Sequence, residues 1–209
     1  MDGTLTDSDE GIINSIVYAL SKVGISIKDE KELTKFIGPP IKDALRDYLG
    51  LDEEEIEEIV LIYKQRYGTI GLFENKMFDG TEDTLKFLKD QGRKIYLATS
   101  KPKLYADKIL KHFDIYKYFD GTYGASMDEK LVKKVDIINE AIKNEKLDIK
   151  DSIMVGDREY DIFGAKEVGM DSVFFTLGYA GKGEAEILKK TANYVTNDMQ
   201  ELKDLFLKI

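Results

Sequence analysis

From Gly80 to the C-terminus, short apolar runs alternate with helix-length stripes, and this alternation restricts the possible folds more than any other feature of the chain. The runs are residues 95–98, 153–155 and 173–175. Between them lie apolar positions at helical spacing: Leu85 and Leu88, Ile109 and Leu110, then Ile137, Ile138, Ala141 and Ile142. Strands that are apolar throughout are buried on both faces, and strands separated by helices of about 10 to 15 residues pair in parallel. The expected fold is α/β, a doubly wound parallel sheet of Rossmann-like type, with residues 121–125 and 194–195 as weaker strand candidates.

Residues 9–79 carry a different period. Ile12, Ile13, Ile16, Val17, Leu20 and Val23 form one helical stripe, and Ile56, Ile59, Val60, Tyr63 and Tyr67 another, with no convincing strand. Gly24, Gly38-Pro39-Pro40, Gly50 and Gly71 divide the segment into short helices, and Asp52 before three glutamates reads as an N-cap. The chain is therefore expected to consist of an α/β core, residues 1–10 and 80–209, and an inserted helical unit, residues 11–79. Gly11, Gly71 and Gly80 are candidate hinge or loop points between them.

Composition narrows the chemistry. With 209 residues, 43% of them hydrophobic, the chain can bury a substantial core. No run approaches the roughly 20 apolar residues of a membrane span, and the start lacks the basic-then-apolar order of a signal peptide. A membrane partner is not expected, and a cytoplasmic location is. The absence of cysteine removes thiolate chemistry and cysteine-bound zinc, and a lone histidine, His112, cannot build a histidine cluster. A net charge of −9 argues against nucleic acid as a partner. Carboxylates, hydroxyls and lysines must carry any reaction, and an anionic substrate requires a metal or a focused lysine.

Ligands of open α/β sheets gather at the carboxyl ends of the strands, where loops and helix N-termini converge. The run at 95–98 ends in Thr99-Ser100, hydroxyls suited to a phosphoryl oxygen or, equally, to capping a helix beginning near Pro102. The run at 153–155 leads into Gly156-Asp157-Arg158-Glu159-Tyr160-Asp161, two carboxylates four residues apart. Mg²⁺ takes about six oxygen ligands, usually one or two carboxylates with waters and substrate oxygens. Asp157 is the candidate direct ligand and Asp161 the outer one, although aspartate also favours helix starts without any metal. Lys130, Lys133 and Lys134 precede the Ile137 stripe, Lys134 being the best placed to meet a phosphate. Asp2-Gly3-Thr4 reads as a turn or as part of a phosphate-handling loop.

Taken in order, Asp-Gly-Thr, a strand-end Thr, a Lys and Gly-Asp-x-x-x-Asp resemble the haloacid dehalogenase-like hydrolase superfamily. Phe36-Ile37-Gly38-Pro39-Pro40, residues 67–78 with Glu74-Asn75, and Ala98-Thr99-Ser100-Lys101-Pro102 are similar to its phosphoglycolate phosphatase-like and 5′-nucleotidase-like branch, where the helical insert is a mobile cap. The resemblance implies a Mg²⁺-dependent phosphatase of small phosphorylated metabolites working through an aspartyl-phosphate. Asp2 would be general acid and base, with its backbone carbonyl on the metal. A carboxylate there favours phosphate chemistry over dehalogenation, in which the same place carries Tyr. Thr99, with Thr4 and Ser100, would hold the phosphoryl group, Lys134 would offset its charge, and Asp157 and Asp161 would hold Mg²⁺. Lys42, Lys64 and Arg66 are candidates for the distal end of the substrate.

The chain departs from the pattern in three places. No proline follows the lysine, Arg158 stands where a small hydroxyl is common, and the nucleophilic aspartate with its strand would lie just before Met1. A central strand cannot be left out of a buried sheet without exposing apolar faces, so the sequence is expected to begin late. A phosphomutase, or an inactive module that binds a phosphorylated ligand, is the alternative function.

Overall fold

The computed structural model describes residues 1–27, 33, 36–37, 41–128 and 130–209, so the Gly38-Pro39-Pro40 break lies outside the described residues. The chain forms two compact units, Met1–Thr6 with Met77–Ile209, and Asp7–Lys76. Two-residue strands, β1 (Thr6–Asp7) and β2 (Lys76–Met77), mark the crossings. They were not legible in the pattern because two residues cannot display a period of two.

In the helical unit, α1 (Asp9–Lys22), α2 (Ile41–Leu49) and α3 (Glu53–Arg66) are followed by a π-helical turn, Tyr67–Gly71. The stripes become its core, with Ile12, Ile16, Leu20, Ile56, Ile59, Val60 and Tyr67 buried, while Val17 faces out. Asp52 starts α3 as expected: its carboxylate accepts the Glu54 and Glu55 N–H groups, each at 3.0 Å, and the Glu55 carboxylate accepts the Asp52 N–H. This reciprocal cap satisfies donors that a helix start leaves unpaired. Gly11 and Gly71 are packing residues rather than loop points. A Cβ on Gly11 would stand 2.0 Å from the Gly71 carbonyl oxygen, so α1 and the π turn touch through bare backbone.

The α/β unit runs α4 (Thr81–Asp90), β3 (Tyr96–Pro102), α5 (Lys103–His112), β4 (Gly121–Ala125), α6 (Lys134–Glu145), β5 (Ile153–Gly156), α7 (Glu159–Val168), β6 (Asp171–Phe175), α8 (Lys182–Thr191), β7 (Tyr194–Thr196) and α9 (Met199–Phe206). All three apolar runs and both weaker candidates are strands. Every pairing among them is parallel, Tyr96 opposite Gly121, Ile153 opposite Asp171 and Val173 opposite Tyr194. The expected single sheet is instead two ladders, β3–β4 and β5–β6–β7, because no strand among the described residues pairs with both β3 and β5. β3 also continues four residues beyond its apolar run, through Thr99 and Ser100 to Pro102, with a register shift after Thr99.

β6 explains why such runs are apolar throughout. Val173 and Phe175 pack with Met199, Leu202 and Phe206 of α9, whereas Phe174 points the other way, onto Ile162 of α7 and Leu188 of α8. Successive side chains thus meet helices on opposite faces. Each buried phenylalanine contributes about 1.5–3 kcal/mol relative to exposure. No helix among the described residues is long and apolar enough to cross a membrane.

Candidate active site

The first six residues form a tight turn. The Met1 carbonyl accepts the Leu5 N–H at 2.7 Å, and Gly3 donates its N–H to the Thr6 carbonyl at 2.8 Å. The turn is tied to the rest of its unit through Leu5, whose carbonyl accepts the Phe78 N–H at 3.0 Å and the Thr81 hydroxyl at 3.1 Å. Gly3 has a φ of 72°, and a Cβ there would lie 2.1 Å from Oδ2 of Asp157. Both the left-handed backbone and the close approach require glycine.

Asp157 follows the end of β5 and is 1% exposed. Its Oδ1 accepts the Thr4 hydroxyl and its Oδ2 the Tyr179 N–H, both at 2.9 Å. Burial, and then the negative charge of Asp161, push its carboxyl up to about 6. Gly178 also approaches bare-backed, since a Cβ there would be 2.2 Å from Cβ of Asp157.

Asp161, in the first turn of α7, behaves oppositely. Burial would raise its carboxyl, but the charge and hydrogen bond of the Lys134 ammonium, together with the Arg158 N–H, hold it below the usual range. Lys134 Nζ stands 2.8 Å from Asp161 Oδ1, with both side chains nearly buried. Gly164 of α7 faces Lys134 and Ile138, which lets α6 approach closely enough for that pair.

The same ammonium donates to the Ala98 carbonyl in β3 at 3.0 Å, so Lys134 links the ends of β3 and α7. Thr99 is buried there, its hydroxyl accepting the Lys101 N–H at 3.1 Å, with Ser100 half-buried beside it. Lys101 turns its ammonium to Oδ1 of Asp2, 3.3 Å away.

Asp2, Thr4, Thr99, Ser100, Lys134, Asp157 and Asp161 are thereby brought to one end of the α/β unit. Thr4 spends its hydroxyl on Asp157. Of the three lysines, Lys134 is the one engaged with the carboxylates: Lys130 is exposed and pairs with Asp128, and Lys133 only precedes α6. Lys42, Lys64 and Arg66 belong to the helical unit. Lys42 pairs with Glu57 at 2.6 Å, Lys64 lies half-buried near the end of α3, and Arg66 makes a two-pronged pair with Glu74 at 2.8 and 2.9 Å while donating to Ser15. Arg158 pairs with Glu184. Sequence reasoning did not give Lys101 or the Gly178-Tyr179 turn a role. The signals for them were a lysine two residues after the strand-end threonine and a glycine just past the end of β6.

Among the described residues no three acidic, histidine or cysteine side chains converge in metal-holding geometry. Two neighbouring buried carboxylates, one raised by burial and by the charge of the other, with the bare backbone of Gly3 and Gly178 packed close against Asp157, nevertheless suit a hard cation that completes its shell with water and substrate oxygens.

Residues 1–175 match the family model for haloacid dehalogenase-like hydrolases. A 5′-nucleotidase of Pseudomonas aeruginosa is 34% identical over 98% of this chain and 92% of its own length. The tyrosine-protein kinase PtkA of Mycobacterium tuberculosis is 35% identical over 98% of this chain and 69% of its own. The crystal structure of a predicted phosphatase from Clostridium acetobutylicum superposes with a TM-score of 0.92 at 40% identity, covering 100% of this chain and 96% of that one. With the motif residues assembled at one end of a parallel α/β unit and matches spanning nearly its whole length, the chain belongs to the haloacid dehalogenase-like hydrolase family.

Proposed function

We propose that the protein is a Mg²⁺-dependent phosphatase of small phosphomonoesters, of the nucleoside monophosphate or phosphoglycolate type. The observation that carries this reading is the meeting of Asp2, Thr99, Lys134, Asp157 and Asp161 at the strand ends of one unit, with Lys134 hydrogen-bonded both to β3 and to Asp161. Similarity to the nucleotidase and phosphatase relatives supports it.

In this reading Asp157 and Asp161, with the backbone carbonyl of Asp2, would hold Mg²⁺, which when bound supplies positive charge to the phosphoryl oxygens. Thr99 and Ser100 orient the phosphoryl group, and Lys134 offsets its charge. The reaction that the resemblance implies runs through an aspartyl-phosphate, formed as a carboxylate attacks phosphorus and the alcohol oxygen leaves. Asp2 delivers a proton to the departing alcohol oxygen and then takes one from the hydrolytic water. Lys101, 3.3 Å from Asp2, keeps that carboxylate oriented. The helical unit is read as the cap that sets selectivity, with Lys42 and Lys64 as candidate contacts to the distal part of the substrate; Arg66 is committed to Glu74.

The test is phosphate release by the full-length protein from a panel of nucleoside monophosphates, phosphoglycolate and sugar phosphates. Release that needs Mg²⁺ and disappears with EDTA or Asp157→Ala is expected. Turnover indifferent to both sinks the reading, and phosphate handed to a second hydroxyl instead of water identifies a mutase.

A further inference from the structure

We propose that Glu184 is a positioning residue for the cation site, holding the Arg158 guanidinium away from Asp157. The inference rests on the reading of Asp157 and Asp161 as the Mg²⁺ carboxylates. Arg158 is an unexpected neighbour for such a site. It lies between the two carboxylates in the chain, it is permanently charged, and it is close enough to Asp157 for the two charges to interact. A guanidinium able to fold onto Asp157 competes directly with a divalent cation.

The structure diverts it. Arg158 Nε donates to both carboxylate oxygens of Glu184, at 2.9 and 3.1 Å, and the two side chains are only 19% and 18% exposed. Its guanidinium also lies over the Tyr160 ring, 5.9 Å from the centroid. The same Glu184 oxygen accepts the Glu159 N–H at 2.8 Å, while the Arg158 N–H donates to Asp161 at 3.2 Å. One carboxylate in the first turn of α8 thus neutralises the intruding charge and fixes the backbone that separates the two candidate ligands. A charge-assisted hydrogen bond from a single Nε–H shared between both Glu184 oxygens, in a pair this little exposed, holds that geometry.

The experiment is a charge cycle read by cation binding, with Mn²⁺ as the probe and Mg²⁺ as competitor, on the full chain. Glu184→Gln, which keeps an acceptor for the Glu159 N–H, is expected to weaken Mn²⁺ binding by about 10- to 100-fold, the usual cost of losing an outer partner of a metal site. Arg158→Gln is expected to bind as tightly as the parent or more tightly. The double variant Arg158→Gln/Glu184→Gln is expected to return to within about threefold of the parent, since the competing charge is gone. A purely structural pair gives the opposite order, with the double variant no better than Glu184→Gln. That result, or unchanged affinity in Glu184→Gln, overturns the inference and leaves the cation site intact. A parent chain that binds no Mn²⁺ overturns the cation site and this inference together.

Discussion

Replacing Lys134 by methionine isolates the electrostatic contribution of the lysine while keeping most of its length. The parent ammonium sits 2.8 Å from Asp161 and 3.0 Å from the Ala98 carbonyl, and the Lys134 and Asp161 side chains are 8% and 10% exposed. Removing one partner of a buried pair costs about 3–5 kcal/mol, because the remaining charge is left uncompensated. Asp161 keeps the Arg158 N–H at 3.2 Å, which argues for the lower end of that range. At about 2–4 °C per kcal/mol for a chain of this size, a loss near 3 kcal/mol lowers the melting temperature by about 6–12 °C.

The pH dependence carries a sign. In the parent, Asp161 is held below its usual range, so its stabilisation is present above the unfolded carboxylate pKa and is lost as the pH falls. In the variant, burial without the ammonium raises Asp161, so its penalty is greatest at neutral pH and shrinks as the group takes up a proton. Urea unfolding at pH 7, pH 5 and about pH 3, with the parent, Lys134→Met, Asp161→Asn and the double variant, measures both effects. The double variant is expected to recover at least about 2 kcal/mol relative to additivity. A melting shift below 2 °C, or additive single effects, refutes the argument that this pair is a buried electrostatic link.

Further outcomes follow from neighbouring groups. Gly178→Ala places a methyl against Asp157 and is expected to weaken Mn²⁺ affinity at least tenfold, read by titration beside Gly181→Ala, whose added Cβ meets nothing within 4 Å. Because the Asp157 carboxyl is raised to about 6, its ionisation destabilises the cation-free fold as the pH rises towards that value. Mg²⁺ should therefore raise the melting temperature more above pH 6 than below it, and a shift independent of pH counts against Asp157 as ligand. In the helical unit, the Arg66 guanidinium bonded to Glu74 holds that carboxyl below its usual range. Glu74→Gln should cost about 1–2 kcal/mol at pH 7, a difference that closes only as the pH falls below the ordinary glutamate range, checked by urea unfolding at pH 7 and about pH 3.

Local physics made much of this legible without coordinates. The apolar runs marked β3, β5 and β6 because a strand covered on both faces has no polar side to show, as Val173, Phe174 and Phe175 demonstrate. Asp52 announced its helix because capping is satisfied within three residues. The candidate site was readable as four ordered motifs, since strand ends and helix starts confine carboxylates and hydroxyls to one edge of such a unit. Other features were misread for want of packing. Gly11 and Gly71 looked like loop points, although their role is contact between backbones distant in sequence.

What the sequence determined by itself, then, is the α/β character and the helical segment, along with the candidate residues for a phosphate site, all properties of short periods and neighbouring residues. What only the tertiary structure decided is who meets whom. It selected Lys134 over Lys130 and Lys133, turned Thr4 and the Tyr179 N–H onto Asp157, set Lys101 beside Asp2, committed Arg66 to Glu74 and drew Arg158 to Glu184. Each of these contacts depends on the direction of a side chain across a turn or between helices. Coulomb and hydrogen-bond energies vary steeply with that distance and direction, whereas sequence spacing constrains it only within a single element.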